Sequence, residues 1–590
     1  MADRELRGAD ILVEMLVRYE VDHIFGVPGD TNVPLYDAMR LAQDRIRHIM
    51  VRDERCGGFM ADAYARLSNK PAVMEVPSGA GAMYVLPAVA EAHFSSVPMI
   101  LITSDTPLRM EGQGVITELE CAKLFEPVTK ASWQVKSARK IPEMVRRAFR
   151  YATGGRPGAV HLVVPEDVLA ETVAADAISL HAEAACTRFP SYPASPGEKD
   201  IDALIGLIAE ARRPLFVAGG GASRSLAGKA LQAVAEALGM PVVQTITGQS
   251  TLVDDHPLAI GVVGDNGFHP HANRAMEEAD LIVYLGSKIG SVVTIGWTFP
   301  SDRVERKIVQ IDIEATVLGN NTDNALSICA DIRLALEALH DRLPQGLAVD
   351  PAWPAHLNAM RAEFWHKASA KMESDAVPLA PQRIVKALND RLVGRPCSIL
   401  SDPGTPTPHM TQLLRLVDPE SSFIIPRAFG GLGYALPAVV GAYLARPHTR
   451  PIGLFGDGSF AMSMGELETL VRLDVPAILV HFSNGCFGWI KALQRLHGHN
   501  ATYSVDFNRV DGAAIAEVFG ARAFHVTTPD ELDAAFDAAF AHDGLVFIDV
   551  EVESIADMAP PVYSWLKRMG RDPMQMGPTD GVSLADGQTR

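Results

Sequence analysis

The chain has 590 residues, too many for one hydrophobic core, and its length implies about three or four folding units of ~150 to 200 residues. With 48% apolar and 21% charged residues it has the composition of an ordinary folded protein, and no apolar run reaches the ~18 to 20 residues that a membrane span needs. A formal net charge of −18 argues against nucleic acid and anionic membranes as partners, because phosphate binding needs clustered Lys and Arg, and it leaves small-molecule chemistry as the leading class.

The start, MADRELRGADILVEML, is charged and then amphipathic, without the apolar core and small-residue cleavage site of a signal peptide, so a cytoplasmic location is expected. The pattern then predicts helix ADILVEMLVRYE, strand HIFGV, a helix around RCGGFMADAYAR, and strands AVMEV, MILITS and AVHLVV. Residues 171–198 turn Ala-rich and then Pro/Ser-containing, as a linker would. A second series follows with PLFVAGGG, VVQTI, LIVYLGS and KIVQIDI, then a polar helical connector, PAWPAHLNAMRAEFWHKASAKMESD. A third contains CSILSD, PIGLFGDGS, AILVHFSN and LVFIDVEV. Strands alternating with helices predict an α/β fold of three doubly wound parallel-sheet domains, at residues 1–185, 195–345 and 375–555, with an irregular tail at 556–590. Three units of similar size would suit an old duplication. The six cysteines (Cys56, Cys121, Cys186, Cys329, Cys397, Cys486) form no C-x-x-C pair, which fits reduced thiols and disfavours a zinc site.

In GLFGDGSF the pattern puts Asp457 at the carboxyl end of a strand, where open α/β sheets form ligand crevices. Gly456 and Gly458 allow close backbone approach, and Ser459 and Phe460 begin a helix whose N–H groups favour phosphate. Asn484 falls at the end of the next strand, VPAILVHFSN. A carboxylate and an amide oxygen are hard ligands suited to Mg²⁺, which takes further oxygens from a diphosphate. GDG alone would serve equally as a strand-to-helix turn; its spacing to Asn484 favours the metal reading.

GDGSF through SNGCFGW resembles the diphosphate and metal motif of thiamine diphosphate (ThDP) enzymes. The resemblance implies that Asp457, the Asn484 side chain and the Cys486 carbonyl are metal ligands, with Phe487 and Gly488 beside the cofactor. Ser483 stands where the family often has a second Asn. VRDERCGGFMADAYAR resembles the family's glutamate helix, so Glu54 takes the place of the residue that hydrogen-bonds the aminopyrimidine ring; a solvated helix start is the alternative. Gly57, Gly58, Ala61 and Ala65 are small at helical spacings, suited to close approach by cofactor or a partner helix. PRAFGGLGYALPAVVGAYLA resembles the segment of acetolactate-synthase-like enzymes that supports the bent cofactor, with Gly431 beside it and Leu432 as the apolar wedge. SDPGTPTPHM puts Gly404 and Thr405 at expected diphosphate contacts, and His409 either faces substrate or is a plain loop histidine. Matches run to about residue 553, which implies pyrimidine-binding, central and diphosphate-binding domains and a homodimer or homotetramer with sites completed across a dimer interface.

Within that family the reaction stays open. Pyruvate-type decarboxylases carry a His-His pair that this chain lacks, although Asp30 in GVPGD matches their acidic residue; Asp30 reads equally as a loop residue accepting backbone hydrogen bonds. Acetolactate synthases carry a Phe-Gln pair where Ile116 and Thr117 stand here. The glycine runs AGGGASR and YLGSKIGSVVTIG lack the Arg/Asp-rich segment expected of flavin-binding members, which disfavours FAD. Lys491 and Arg109 are candidate partners for a substrate carboxylate or a coenzyme A phosphate. The tail, with Tyr563, Trp565 and Met569, is expected to act as an active-site lid or a packed strap. The leading expectation is an acetolactate-synthase-like carboligase or lyase acting on a 2-oxo acid or 2-hydroxyacyl substrate. The alternatives are a non-oxidative 2-oxo acid decarboxylase and a catalytically silent ThDP-binding protein.

Overall fold

The computed structural model describes residues 5–498 and 500–575. It has three six-stranded sheets and a short ribbon pairing Glu5–Arg7 with Thr172–Ala174. All pairings inside the six-stranded sheets are parallel. Parallel strands need crossover helices that cover both faces, which is why the inner strands read as mostly apolar runs.

The first sheet runs Arg47–Met50, His23–Gly26, Ala72–Val76, Met99–Asp105, Ala159–Pro165, Ser132–Gln134, or 2-1-3-4-6-5 in chain order. The third runs Ser422–Ile424, Cys397–Ser401, Arg450–Gly456, Ile478–Ser483, Val546–Glu551, Arg522–Val526, again 2-1-3-4-6-5. The central sheet differs: Ala259–Val262, Val242–Gln244, Pro214–Ala218, Leu281–Leu285, Lys307–Asp312, Leu326–Cys329, which is 3-2-1-4-5-6, the order of dinucleotide-binding folds. The shared winding therefore pairs the first sheet with the third and sets the central one apart.

By contacts the chain forms two compact bodies. One comprises the chain through Tyr192 with Pro426–His448 and Met462–Val475; the other holds Pro193–Ile425, Thr449–Ala461 and the chain from Pro476.

In the first body the helix Glu54–Ser68 is buried from Cys56 to Ala65. Its glycines are the reason it can be. A side chain at Gly57 would stand 2.8 Å from Met74 Cε and 2.9 Å from Val51 Cγ2, and one at Gly58 would overlap Ala88 of the helix Ala80–Phe94. On another side the helix Ala435–Ala445 approaches so closely that any Cβ at Gly441 would overlap the Met60 carbonyl. The helix start is held by the Asp53 carboxylate, which accepts the Arg55 and Cys56 N–H groups, and by Glu466, which accepts those of Arg52 and Asp53, both at 2.9 Å.

In the second body the expected connector is the helix Ala352–Met372. Trp353 and Leu357 complete the central core, and Phe364, Ala368 and Met372 complete the third-sheet core. The Trp353 indole N–H is satisfied by the Pro214 carbonyl at 3.1 Å. The segment after the last strand docks as a strap: Trp565 packs on Trp489 at 4.5 Å, the Tyr563 N–H donates to the Asp265 carbonyl at 2.8 Å, and Ser564 donates to the Asp265 carboxylate. The remainder of the expected lid, residues 576–590, lies outside the described residues. Among the described residues no helix is long and apolar enough to cross a membrane.

Candidate active site

The second body contains one of the two candidate clusters. Strands Arg450–Gly456 and Ile478–Ser483 are neighbours, with Gly456 opposite Phe482, so the residues just past each end face one another. Asp457 Oδ2 accepts the Asn484 N–H at 2.9 Å, and Oδ1 accepts the Ser483 hydroxyl at 3.3 Å. The His481 ring lies 3.5 Å from Asp457 Oδ1 through Nε2 and 2.9 Å from Asp549 Oδ1 through Nδ1. Burial pushes the Asp457 pKa up, but the His481 ring and the Asn484 N–H outweigh it and hold the carboxyl below its ordinary value. Burial likewise lowers His481, and its two carboxylate partners reverse the sign. The net effect is an anionic Asp457 at a strand terminus, suited to a cation.

The Asn484 amide oxygen receives only a weak thiol donor, Cys486 Sγ at 3.2 Å, among the contacts described for it. The loop after it is pinned by reciprocal bonds: Phe487 N–H to the Val505 carbonyl at 2.9 Å and Phe507 N–H to the Gly485 carbonyl at 3.0 Å. At Gly458 a Cβ would overlap the Phe487 ring, which would have to move aside. At Gly488 a Cβ would stand 3.1 Å from Thr405 Oγ1 and 3.6 Å from Asn484 Nδ2, so Thr405, Asn484 and Gly488 are neighbours. Gly404 has φ +129 with nothing within 4 Å of its Cβ position, and Gly456 has only the Phe482 carbonyl, at 3.8 Å. Such open backbone beside one carboxylate and one amide fits a cation-bound diphosphate. Among the described residues no three His, Cys, Asp or Glu side chains form a metal cluster. Ser459 is buried; the Phe460 side chain faces the core against Phe455, His481 and Phe547, leaving its backbone for any ligand contact.

The first body contains the other candidate carboxylate. Glu54 opens its helix half-buried, and burial first, then the charges of Asp53 and Glu75, raise its pKa. A Cβ at Gly81 would meet Pro77 at 2.9 Å and Glu54 Oε1 at 3.1 Å, and one at Gly29 would meet Pro77 Cγ at 2.7 Å. Pro77 thus lies between the GVPGD loop and the residues lining Glu54. Asp30 itself is exposed at the start of the turn Asp30–Asn32, whose Thr31 and Asn32 are buried. Gly431 sits over Phe59 of the Glu54 helix, 3.1 Å from Cζ at its Cβ position, and Leu432 is half-buried beside it. Thr117 is in the left-handed region at φ +68, and its hydroxyl joins a chain through Ser78 and Thr31 to Ser104, while Ile116 is exposed.

Other candidates are placed differently. His409 is fully buried with both ring nitrogens lacking a hydrogen-bond partner, and burial pushes its pKa down to about 3. Lys491 is paired with Asp506 at 2.7 Å and Arg109 lies 3.8 Å from Asp167. The two glycine runs of the central domain pack on each other: Gly221 N–H donates to the Gly286 carbonyl at 2.9 Å, and a Cβ at Gly221 would stand 2.7 Å from Gly286 Cα. Their glycines answer to that backbone contact. Two groups escaped the sequence reading. His481 was visible as the first polar residue of VPAILVHFSN, opposite Asp549 in the adjacent strand. Glu75 was visible inside AVMEV; it is buried and accepts hydrogen bonds from the Tyr36 hydroxyl and from Asn32 Nδ2, the latter at 2.8 Å.

Three family models match in series: the N-terminal TPP binding domain of thiamine pyrophosphate enzymes at residues 6–124, their central domain at 201–339, and their C-terminal TPP binding domain at 402–550. The chain is 31% identical over 576 residues to the probable acetolactate synthase large subunit of Methanococcus aeolicus, covering 94% of both chains. The chain belongs to the thiamine pyrophosphate enzymes. It is also 31% identical over 572 residues to the probable acetolactate synthase large subunit of Methanocaldococcus jannaschii, and 30% identical over 578 residues to a chloroplastic acetolactate synthase of Nicotiana tabacum, covering 95% of this chain and 84% of that one. As a thiamine pyrophosphate enzyme it uses ThDP, and both TPP binding models overlie the two residue clusters described above.

Proposed function

We propose that this protein is a Mg²⁺- and ThDP-dependent carboligase or lyase, acetolactate-synthase-like, acting on a 2-oxo acid or 2-hydroxyacyl substrate. The observation that carries the reading is the Asp457–Asn484 pair at the ends of adjacent strands, with an ionised carboxylate and an amide oxygen that receives only a weak thiol donor among the contacts described for it. Asp457, Asn484 and the Cys486 carbonyl would hold Mg²⁺, and the open backbone at Gly404 and Gly456 would face the diphosphate. When bound, ThDP supplies the electron sink for making and breaking carbon–carbon bonds.

Glu54 would hydrogen-bond the aminopyrimidine ring of ThDP, and its raised pKa favours the protonated carboxyl that can donate there. Leu432 would support the cofactor's ring pair, and Gly431 lets that loop lie on the Glu54 helix. Association of two chains, as homodimer or homotetramer, completes each site. Thr117 in place of the family's Gln supports an acceptor other than pyruvate, and a non-oxidative decarboxylase is the second reading on the same observation. Product analysis with a panel of 2-oxo acids separates the two, since a ligase yields a 2-hydroxy ketone or acid and a decarboxylase a free aldehyde.

The test is Glu54→Gln in the full chain. Loss of turnover with ThDP still taken up in the presence of Mg²⁺ is expected; unchanged turnover refutes the role of Glu54, and no ThDP uptake by the unmodified chain refutes the whole reading.

A further inference from the structure

The helix Ala80–Phe94 carries Glu91, fully buried, whose carboxylate reaches the loop before Leu432. Oε2 accepts the N–H groups of Phe429 at 2.8 Å and Gly430 at 3.0 Å, and Oε1 that of Ala428 at 3.3 Å. Three successive backbone donors turned on one anion form a nest, an arrangement that holds a loop by its main chain whatever its side chains. Ser95 Oγ donates to Oε1 at 2.6 Å, and Arg66 stands 3.6 Å away. Arg66 is on the Glu54 helix, where it also pairs with buried Asp62 at 2.7 Å, and Asp62 accepts the Tyr434 hydroxyl at 2.7 Å. One buried charge network therefore ties the helix that begins at Glu54 to both sides of Leu432, at residues 428–430 and at Tyr434.

Burying four ionisable groups is costly unless each is partnered, and apolar packing of equal volume is often as stable, so the network points to geometry as its product. Burial raises the pKa of Glu91, but Arg66, Ser95 and the loop amides outweigh it and keep the carboxylate anionic. Phe429 itself is exposed, stacked on Phe94 at 6.3 Å, so the loop lacks an apolar anchor deep enough to place it.

We infer that Glu91 is a positioning residue, which fixes the Ala428–Gly430 backbone and through it sets Leu432 against the cofactor rings. The inference rests on the reading of Leu432 given above. Glu91→Gln presents an amide N–H₂ to amide donors and should release the loop.

The experiment uses the full-length chain with Mg²⁺ and ThDP and compares Glu91→Gln, Leu432→Ala and the double variant. Expected in Glu91→Gln are faster hydrogen exchange at the Phe429 and Gly430 amides, ThDP affinity within about threefold of the unmodified chain, and turnover at saturating cofactor lower by on the order of tenfold to a hundredfold. The double variant should lose no more than the worse single one, since both act through one loop. Additive losses, or full turnover in Glu91→Gln despite faster exchange, overturn the role of Glu91 while ThDP uptake still upholds the cofactor reading. Full turnover in Leu432→Ala overturns the Leu432 reading instead. If Glu91→Gln does not fold, Glu91→Asp keeps the charge facing Arg66 but shortens its reach; unchanged exchange and turnover in that variant overturn the proposal.

Discussion

Asp457 and Asn484, 27 residues apart in the chain, are joined by a hydrogen bond from the Asn484 N–H to Asp457 Oδ2 at 2.9 Å. The bond crosses between two adjacent strand ends and orients the carboxylate, with His481 supporting it from within the sheet. Groups that orient a metal ligand typically contribute a factor of about 10 to 100 in metal affinity. His481→Gln should therefore weaken Mg²⁺-dependent ThDP uptake by roughly that factor, and Asp457→Ala should weaken it further. Calorimetric titration of ThDP with Mg²⁺ in excess measures both, and unaltered affinity in Asp457→Ala would remove it from the ligand set.

Glu466 provides a pH-dependent stability signature. Burial pushes it up to about 7, outweighing the bonds from Thr469, Arg52 and Asp53 that favour its anion. An unfolded chain has this carboxyl near 4.5, so between about 4.5 and 7 the folded state binds the extra proton and stability falls as pH rises. The full change across that window is on the order of 3 kcal/mol, from the ~1.4 kcal/mol per pKa unit. Urea unfolding followed through the window should show this slope in the unmodified chain relative to Glu466→Gln, which has no titrating carboxyl there.

Gly441→Ala would force a methyl group into the Met60 carbonyl, backbone against backbone, with no flexible side chain to give way. Overpacking of this kind typically costs about 1 to 3 kcal/mol, occasionally more. A lower thermal midpoint is expected, with loss of turnover because the displaced helices carry Glu54 at one end and follow Leu432 at the other. A midpoint equal to that of the unmodified chain would show that the two helices separate freely.

The strap from Ile555 to Met569 covers Trp489 and Phe268. Truncating a buried Trp commonly costs about 3 to 5 kcal/mol, and here the loss should be local undocking of the strap. Trp565→Ala should raise Trp489 exposure to a soluble quencher and lower turnover. Deletion of residues 560–590 with turnover intact would leave the strap a packing element and end the lid reading.

Each of the three sheets has four strands that the hydrophobic pattern predicts, and these occupy the four inner positions. The two that it does not show are the edges in every case: Arg47–Met50 and Ser132–Gln134, Ala259–Val262 and Leu326–Cys329, Ser422–Ile424 and Arg522–Val526. An inner parallel strand is buried on both faces and so is mostly apolar, as Met99–Ile102 and Val546–Ile548 show; an edge strand such as Arg522–Val526 is part-exposed and carries Arg522 and His525.

The amino-acid sequence by itself determined the α/β class and the inner strands, and marked Asp457, Asn484 and Glu54 as candidate site residues, because apolar periodicity and the polar residues that interrupt it are local properties of the chain. Only the tertiary structure decided which strands neighbour which, so that His481 lies between Asp457 and Asp549, Gly441 meets Met60, and Glu91 holds the loop of Leu432. Those pairings join residues tens to hundreds of positions apart. They are set by crossover winding and close packing, which leave no periodic trace in one sequence.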